Sequence, residues 1–350
     1  MLIKNISNIV NNKIDCNILD SSNYISTENM LENFGGIKDS SNVPVGKCTA
    51  IIRGDILLSN IRPYFKKLWF SKLDGGCSND VIVLRVNNKL ALSKYVFYAL
   101  SSNKFFDVYV ANCKGTKMPR GNKDVLLNYD IPTKTILEQQ HIVDTIGSID
   151  DLIENIEEKT QQIKEYGNKL FSKIPLDNLE CLTNKVTFSK GKEIGSLNYL
   201  DKQTDDSIPY IRVGDLISEN YDTFTISKDI PLCYEEDILI TFDGAPGRNN
   251  YGLNGAISSG VQKVICEPKI KGFVYFYLNS DLCQNTIQAN AQGTTILHAS
   301  KAIKELKIPI IKDEYKYQKF NNLFNYLIVL SKEKNILKTQ KHLLLQKYFG

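Results

Sequence analysis

Hydrophobic positions along the chain follow two alternating patterns. Short runs rich in β-branched residues, such as 81–86 and 261–266, lie between clusters of Gly, Asn, Asp and Ser. This is the pattern of strands separated by turns. The stretches near 95–106 and 273–286 have helical spacing instead. The mixture predicts α+β globules.

A long helix is predicted between Pro132 and Pro175. Its apolar residues advance in steps of four and three, and only Thr160 and Gly167 interrupt them: Ile142, Ile146, Ile149, Ile153, Ile156, Ile163 and Leu170. Such a seam is typical of a coiled-coil helix. A weaker seam, with Lys334 and Lys341 inserted, follows Leu323, Leu327, Leu330, Leu337, Leu344 and Tyr348. The chain therefore has two candidate coiled-coil helices.

The same order of segments occurs twice along the chain. Residues 95–102 align with 273–280, 178 positions later, and the same offset brings 111–116 onto 289–294. Slightly different offsets align 54–58 with 236–240 and 24–25 with 210–211. Because the order is preserved, we infer an internal duplication.

The two predicted helices carry opposite charges. Residues 136–172 contain eight acidic residues and three lysines, whereas the chain from Asp313 onward contains seven lysines and three acidic residues. Helices with matching seams and complementary charges are expected to pair. Equivalent units joined by equivalent helices predict a pseudo-twofold arrangement with the helices antiparallel. The predicted fold class is thus α+β, with two homologous domains joined by two long antiparallel coiled-coil helices.

These patterns divide the chain into four segments. We predict a first α+β domain at 1–135, a central helix at 136–174, a second α+β domain at 175–312 and a C-terminal helix at 313–350. A helix of about 35 residues spans about 50 Å. That length equals about one and a half turns of B-DNA.

Composition narrows the class of protein without identifying it. Hydrophobic residues make up 42% and charged residues 23%, and the net charge of +4 is too small to indicate a nucleic-acid partner by itself. Neither a membrane span nor a signal peptide is visible, so we expect a cytoplasmic protein without membrane contact. The eight cysteines are not clustered. We expect free thiols and neither a metal nor a cofactor.

Several short motifs resemble one protein family. They are 54–63 (GDILLSNIRP), 75–80 (GGCSND), 115–120 (GTKMPR), 131–142 (IPTKTILEQQHI), 209–216 (PYIRVGDL), 293–295 (GTT) and 306–309 (LKIP). In this order, duplicated and with helices attached, they resemble the specificity subunits of type I restriction–modification systems over essentially the whole chain. The C-terminal helix departs from the pattern, because 314–318 reads EYKYQ where the first helix has LEQQ.

The resemblance implies a function for each segment. The domains at 1–135 and 175–312 would be target-recognition domains, each reading one half of a bipartite, asymmetric site in double-stranded DNA. The helices would set the half-site spacing and dock two methyltransferase subunits, and motor–nuclease subunits would complete a restriction complex. Two alternatives stay open. One is a coiled-coil assembly scaffold whose globules bind protein, and the other is a stand-alone DNA-modifying enzyme.

Two loops of the first half carry candidate DNA contacts. Lysine and arginine bind phosphates, while arginine, asparagine and lysine also read base edges. The candidates are Asn60, Arg62, Lys66 and Lys67 in the first loop, and Lys114, Thr116, Lys117, Arg120, Asn122 and Lys123 in the second. An ordinary solvated loop would also explain the lysines of the second loop.

The equivalent loops of the second half are chemically different. Their candidate DNA contacts are Arg248, Asn249, Asn250, Thr294, Thr295, His298 and Lys301. Asp243 fits either an acceptor for a cytosine amino group or a turn residue. Because the two sets differ, we expect the two half-sites to differ.

Catalytic motifs are missing from the sequence. An amino-methyltransferase is expected to carry a Pro-Pro pair and a cytosine-C5 enzyme a Pro-Cys pair, and neither occurs here. There is also no P-loop, no dinucleotide-binding glycine motif and no Gly-x-Ser-x-Gly. We therefore expect no catalytic activity from this chain alone.

Overall fold

The computed structural model describes residues 1–219, 221–293 and 297–350. The chain divides into two compact units. The first unit comprises Met1–Leu152 and Leu337–Gly350, and the second comprises Ile153–Ile336. Each unit combines one globule with a segment of each of two long helices.

The first unit contains two four-stranded sheets. Its strands are β1 (Ser7–Ile9), β2 (Lys13–Asp15), β3 (Tyr24–Ile25), β4 (Lys47–Ile51), β5 (Ile56–Ser59), β6 (Leu68–Phe70), β7 (Gly75–Cys77) and β8 (Val81–Val86). The strand orders are β1-β8-β5-β6 and β2-β4-β7-β3. Its helices are α1 (Ile3–Ile6), α2 (Ser93–Leu100), α3 (Asn103–Ala111), α4 (Lys123–Leu127) and the first part of α5 (Ile136–Phe171).

The second unit again contains two four-stranded sheets, together with one strand pair. Its strands are β9 (Leu179–Cys181), β10 (Val186–Lys190), β11 (Ile208–Ile211), β12 (Phe224–Thr225), β13 (Leu232–Cys233), β14 (Ile238–Ile240), β15 (Asn249–Asn250), β16 (Gly255–Ile257), β17 (Gln262–Cys266) and β18 (Lys307–Pro309). The strand orders are β10-β17-β14-β15, β12-β11-β16-β13 and β18-β9. Its helices are α6 (Asp215–Ser218), α7 (Lys271–Leu278), α8 (Asp281–Ala289) and the first part of α9 (Glu314–Phe349).

The two units share one topology, as the internal repeat predicted. The sheet β1-β8-β5-β6 corresponds strand by strand to β10-β17-β14-β15. In the other sheet, β3-β7-β4 corresponds to β11-β16-β13, and in both units the first of these pairs is parallel and the second antiparallel. The fourth strand differs, because β2 lies beside β4 whereas β12 lies beside β11. The duplication therefore preserves the centre of each globule and varies its edges.

Alternating side chains of the central strands face two different cores. In β8, Ile82 and Leu84 pack in the core formed with the helices, whereas Val81 and Val83 pack in the core under the second sheet. Successive side chains of a strand point to opposite faces, so a strand buried on both sides reads as a continuous apolar run. This explains why 81–86 carries no polar alternation.

Each helical stretch predicted after the sheets is a pair of helices. Ser102 separates α2 from α3, and its hydroxyl accepts a hydrogen bond from the Phe105 amide at 3.3 Å. Ser280 does the same between α7 and α8, with the Cys283 amide at 3.4 Å. A serine that caps a new helix start interrupts the previous helix without a glycine or a proline. The prediction from apolar spacing therefore gave one helical stretch where the structure has two helices.

The helices α5 and α9 each contain 36 residues. Thr135 and Glu138 begin α5 with a reciprocal capping box, in which the Thr135 amide donates to Glu138 Oε2 at 2.8 Å and the Glu138 amide to Thr135 Oγ1 at 3.3 Å. Ile142 and Ile146 of the predicted seam are buried. The coiled-coil prediction for this helix is confirmed.

The end of each long helix is buried in a globule. In the first unit, Phe349 of α9 lies 5.2 Å from the ring of Tyr95 and shares a core with Ile142 of α5. In the second unit, Phe171 of α5 lies 5.4 Å from the ring of Phe273 and shares a core with the beginning of α9. The start of each helix thus lies with the end of the other. The two helices run antiparallel, as predicted.

The buried face of α9 differs from the predicted leucine seam. Leu327 and Leu330 are buried as expected. Aromatic residues outside that seam, Phe320 and Phe324, are also buried because α9 packs against the aromatic residues of α7. The predicted leucine seam covers only part of the buried face of α9. A helix that packs against a globule buries a wider apolar face than a helix in a two-stranded coiled coil.

The residues that interrupt the seams have specific contacts. Lys341 of α9 lies 2.6 Å from the carboxylate of Asp150 on α5, as expected for a basic and an acidic helix. Lys334 lies 2.6 Å from Glu219. At Gly167, an added Cβ would lie 2.0 Å from the ring of Phe276. The residue types at these positions fit neighbouring side chains, which the heptad pattern of one helix does not reveal.

Three further features of the described residues bear on function. No helix in the described ranges is long and apolar enough to cross a membrane. Within the same ranges, no group of three or more His, Cys, Asp or Glu could hold a metal ion. All eight cysteines are free thiols. Burial raises the pKa of Cys77 to about 12, so this thiol is protonated and unreactive at neutral pH.

Candidate nucleic-acid interface

The backbone brings the two candidate loops of the first unit together. Lys114 and Arg120 exchange two backbone hydrogen bonds, of 2.9 and 2.8 Å, which close the loop between them. The outer edge of this bridge pairs with the segment after β5, where the Arg62 amide donates to Pro119 at 2.8 Å and the Gly121 amide donates to Asn60 at 2.9 Å. We call this arrangement of residues 60–62 and 114–121 the first clasp.

The first clasp is held over the globule by a close approach at Gly121. A Cβ added there would lie 1.9 Å from the hydroxyl of Tyr109, so only glycine fits. Gly115 begins the closed loop with a φ of +91°, a backbone conformation that costs glycine little. The loop therefore packs against the globule through the contact between Gly121 and Tyr109.

Arg120 is the best-positioned cation of the first clasp. Its Nη1 donates to Asp80 Oδ1 at 2.7 Å, and 51% of its side chain is exposed. Asp80 lies in the turn between β7 and β8. A guanidinium carries five N–H donors, so the pair with one carboxylate oxygen leaves donors free to face a ligand.

The other predicted residues of this loop have two kinds of surroundings. Exposed polar side chains belong to Lys114, Thr116, Lys117 and Lys123. Asn122 has a structural role, because its side-chain oxygen accepts a hydrogen bond from the Asp124 amide at 3.0 Å and caps α4. The exposed lysines suit contact with phosphates.

The loop after β5 is more constrained than its sequence suggested. Arg62 is exposed, with a φ of +48° that is uncommon for a residue with a side chain. Lys66 donates to Asn103 Oδ1 at 3.0 Å, and Lys67 donates to the Thr27 carbonyl at 2.9 Å. Burial lowers the pKa of Lys67. The side-chain oxygen of Asn60 is buried and has no hydrogen-bond partner. Of the four candidates in this loop, Arg62 is therefore the one with an exposed side chain.

The second unit builds the same backbone arrangement. Gln292 and His298 exchange hydrogen bonds of 3.0 and 2.8 Å. The Gly244 amide donates to Leu297 at 2.8 Å and the Ala299 amide donates to Phe242 at 2.7 Å. We call residues 242–244 with Gln292 and 297–299 the second clasp. His298 takes the place of Arg120, at the offset of the internal repeat.

His298 is also paired with an aspartate. Its Nδ1 lies 3.0 Å from Asp243 Oδ1, and 63% of the imidazole side chain is exposed. The same carboxylate accepts a hydrogen bond from Ser300 Oγ at 3.3 Å and lies 3.7 Å from Lys190 Nζ. Asp243 thus has three side-chain contacts within its own unit.

Three candidates of the second half, Arg248, Asn249 and Asn250, are less exposed than their sequence suggested. Arg248 Nη1 donates to the Val213 carbonyl at 2.9 Å. Asn249 forms an amide pair with Asn279, at 3.3 and 3.1 Å. Asn250 is buried and donates to the Leu216 carbonyl at 2.9 Å. Asn249 and Asn250 form β15, a strand where a reading loop was expected. Lys301 is exposed. Thr294 and Thr295 lie outside the described residues.

Sequence reasoning missed three residues whose side chains contact the two clasps. Asp80 was part of a family-like motif but was not assigned as the partner of Arg120. Ser300 and Lys190 were not singled out, and they contact Asp243. The repeat itself offered one signal, a position that holds arginine in one half and histidine in the other. The structure shows that each of these side chains contacts an aspartate.

The two related globules and their clasps define a duplicated α+β protein with polar surface loops in matching positions. Residues 5–165 match the model of the type I restriction modification DNA specificity domain. A similar protein is the type I restriction enzyme EcoDI specificity subunit of Escherichia coli, 29% identical over 122 residues. That alignment covers 35% of this chain and 27% of the relative. The chain thus aligns with about a quarter of the relative's length.

A solved structure agrees with the fold over a longer stretch. The S subunit of the type-I restriction-modification system from M. genitalium has a TM-score of 0.54 and 19% identity, and the match covers 100% of this chain and 95% of that one. The resemblance carried by the motifs is confirmed for residues 5–165, a little under half of the chain. The solved structure shows the same fold over the whole chain.

Proposed function

We propose that this chain is the non-catalytic, DNA-reading specificity subunit of a type I restriction–modification complex. Each globule reads one half of a bipartite, asymmetric site in double-stranded DNA. One observation carries the proposal: the two units share a backbone clasp that presents different side chains. A shared scaffold with different exposed donors is what two distinct half-sites require, because donors and acceptors on base edges specify sequence.

We propose the first-half contacts from the exposed residues of the clasp. Arg62 and Arg120 suit base edges, since arginine donates to guanine. Lys114, Lys117 and Lys123 are exposed cations that suit phosphates, with Thr116 between them. Lys66 and Lys67 join the phosphate contacts only if they leave their present acceptors. The backbone carbonyl of Asn60 and the side chain of Asn122 support the loop backbone.

In the second half, His298 and Lys301 are the exposed candidates. Arg248, Asn249 and Asn250 hydrogen-bond to their own unit, so we assign them to shaping the surface. Thr294 and Thr295 stay candidates from the sequence alone. The different exposed residues of the two halves agree with an asymmetric target.

The long helices supply the other half of the proposed function. We propose that α5 and α9 hold the half-sites at a set spacing and dock two methyltransferase subunits, which motor–nuclease subunits join in a restriction complex. The division into recognition domains at 1–135 and 175–312, with helices at 136–174 and 313–350, is retained as part of this proposal. So is a cytoplasmic location, where the complex would meet DNA.

The experiment that tests the proposal is a map of methylated bases. The chain is co-expressed with a methyltransferase subunit of the same system in a methylation-free bacterial host, and genomic DNA is sequenced with base-modification detection. We expect one split, two-part adenine-methylation motif that disappears when this chain is omitted. An unchanged map contradicts the proposal and favours the scaffold alternative. Methylation by this purified chain alone with S-adenosylmethionine would favour the enzyme alternative.

A further inference from the structure

We infer that Arg120 and His298 are equivalent base-reading side chains, and that Asp80 and Asp243 are the positioning residues that aim them. The inference rests on the proposed function and assigns a role to each residue of the pairs.

The first step of the argument is the equivalence of the two positions. Arg120 and His298 each close a loop by two backbone hydrogen bonds, to Lys114 and to Gln292 respectively. On their outer side, both bridges pair with the segment that follows a central strand of the first sheet. Two side chains on the same backbone framework, at the same offset, are presented in the same place on each globule.

The second step concerns the aspartates. Asp80 accepts from Arg120 at 2.7 Å, and Asp243 accepts from His298 at 3.0 Å. The two carboxylates come from different positions, one before β8 and the other after β14. An exposed long side chain loses rotamer freedom when it is held. A carboxylate that holds it in the unbound protein reduces the entropy lost on binding.

The third step is the hydrogen-bonding character of His298. An ionised carboxylate only accepts hydrogen bonds, so the contact with Asp243 requires a proton on Nδ1. Nε2 is then the nitrogen left for a ligand. It accepts when the ring is neutral and donates when the ring is protonated. Arg120, by contrast, donates at every accessible pH.

The fourth step concerns the surroundings of the His298 pair. Its partner Asp243 also lies 3.7 Å from Lys190 Nζ and accepts a hydrogen bond from Ser300 Oγ. Each clasp thus holds an exposed nitrogen-bearing side chain against a carboxylate. We therefore assign Nε2 of His298 to a polar group on a base edge, in the place where Arg120 donates to an acceptor such as guanine N7 or O6.

A selectivity assay tests this assignment without requiring the target to be known beforehand. The wild-type complex with its methyltransferase first defines the motif by sequencing. Duplex pools with one half-site randomised at a time are then methylated by the wild-type complex and by each variant complex. Selectivity is the ratio of rates on correct and incorrect bases within one pool. Any effect of a substitution on the overall methylation rate therefore cancels.

Arg120→Ala should lower selectivity between about fivefold and about 150-fold in one half-site, and His298→Ala should do so in the other. In each variant the remaining half-site should be read as selectively as in the wild type. Equal losses in both half-sites from either variant overturn the assignment.

The positioning role has its own variants. Asp243→Asn removes the charge that orients His298, so second-half selectivity should fall. The matched control is Lys190→Gln, which changes another partner of Asp243 and leaves the Nδ1 contact in place, so selectivity should be retained. Asp243→Glu should restore part of the selectivity. Loss in Asp243→Asn without rescue, with a lowered melting temperature, would indicate a structural role and contradict positioning.

Failure of this inference is distinct from failure of the proposed function. A wild-type complex that methylates no two-part motif contradicts the function. If a two-part motif is methylated and both alanine variants keep its base preferences, the function stands and the clasp residues are not the readers.

Discussion

Each unit has two ion pairs with an equivalent in the other unit. One pair includes an aspartate inside the globule, and the other lies in the exposed clasp. At the deeper position, Asp55 of the first unit accepts two hydrogen bonds from Arg85, at 2.8 and 2.7 Å. The second unit replaces this pair by Asp237 and Lys263, 3.4 Å apart. At the clasp, Arg120 with Asp80 is replaced by His298 with Asp243.

The deeper pair belongs to the scaffold. Asp55 is only 1% exposed, so its carboxylate needs a cation to offset the cost of burial. Arginine and lysine both supply that charge. At the clasp, the exchange from arginine to histidine changes which hydrogen bonds the exposed group offers. The ion pair that keeps the same type of charge in both units stabilises the fold. The ion pair whose cation changes from arginine to histidine lies at the exposed surface.

The strongest test of the scaffold equivalence lies at the helix ends. Phe171→Ala should destabilise the second unit by about 3–5 kcal/mol, because the ring is buried and packs against several aromatic rings. Phe349→Ala should destabilise the first unit by about 3 kcal/mol, since it is buried against Tyr95 near the chain end.

Chemical denaturation combined with hydrogen exchange by mass spectrometry measures both effects and locates each one. Each substitution should raise exchange in its own unit first. The equivalence of the helix ends is contradicted if either variant is as stable as the wild type.

A comparison of two glycines of α5 sharpens the contrast. At Gly167 an added Cβ would lie 2.0 Å from the buried Phe276 ring, whereas at Gly147 the nearest atom is the flexible end of Lys94, at 3.2 Å. Gly167→Ala should therefore destabilise the second unit by about 1–3 kcal/mol through overpacking. Gly147→Ala is the matched control and should stabilise the helix by about 0.5–1 kcal/mol. Thermal melting of both variants checks the opposite signs, and equal effects would refute the packing role of Gly167.

The smallest expected effects concern the deeper ion pairs. Asp55→Asn should cost about 2 kcal/mol, because it weakens a two-fold hydrogen bond to a guanidinium. Asp237→Asn should cost about 1 kcal/mol, because its two lysines lie 3.4 and 3.8 Å away and the group is partly exposed. Urea denaturation at neutral pH compares the two variants. A larger loss from Asp237→Asn would reverse the ranking of the two pairs.

Much of the architecture followed from local pattern. The steps of four and three through Ile142, Ile146 and Ile156 defined α5, and the offset repeat predicted two related globules. Both features depend on periodicity, which a chain displays before it folds. The aromatic face of α9 around Phe320 and Phe324 was not predicted, because its width depends on the globule against which the helix packs.

The candidate interface was only partly readable from the chain. The sequence by itself determined that polar, basic loops recur at one offset, with Arg120 in one half and His298 in the other. Only the tertiary structure decided that these side chains meet Asp80 and Asp243, and that Asn249 and Asn250 are held within their own unit. The physical reason is that such partners lie far apart in sequence. A hydrogen bond between Asp243 and His298, 55 positions apart, exists only because the strands and helices between them bring the two loops together.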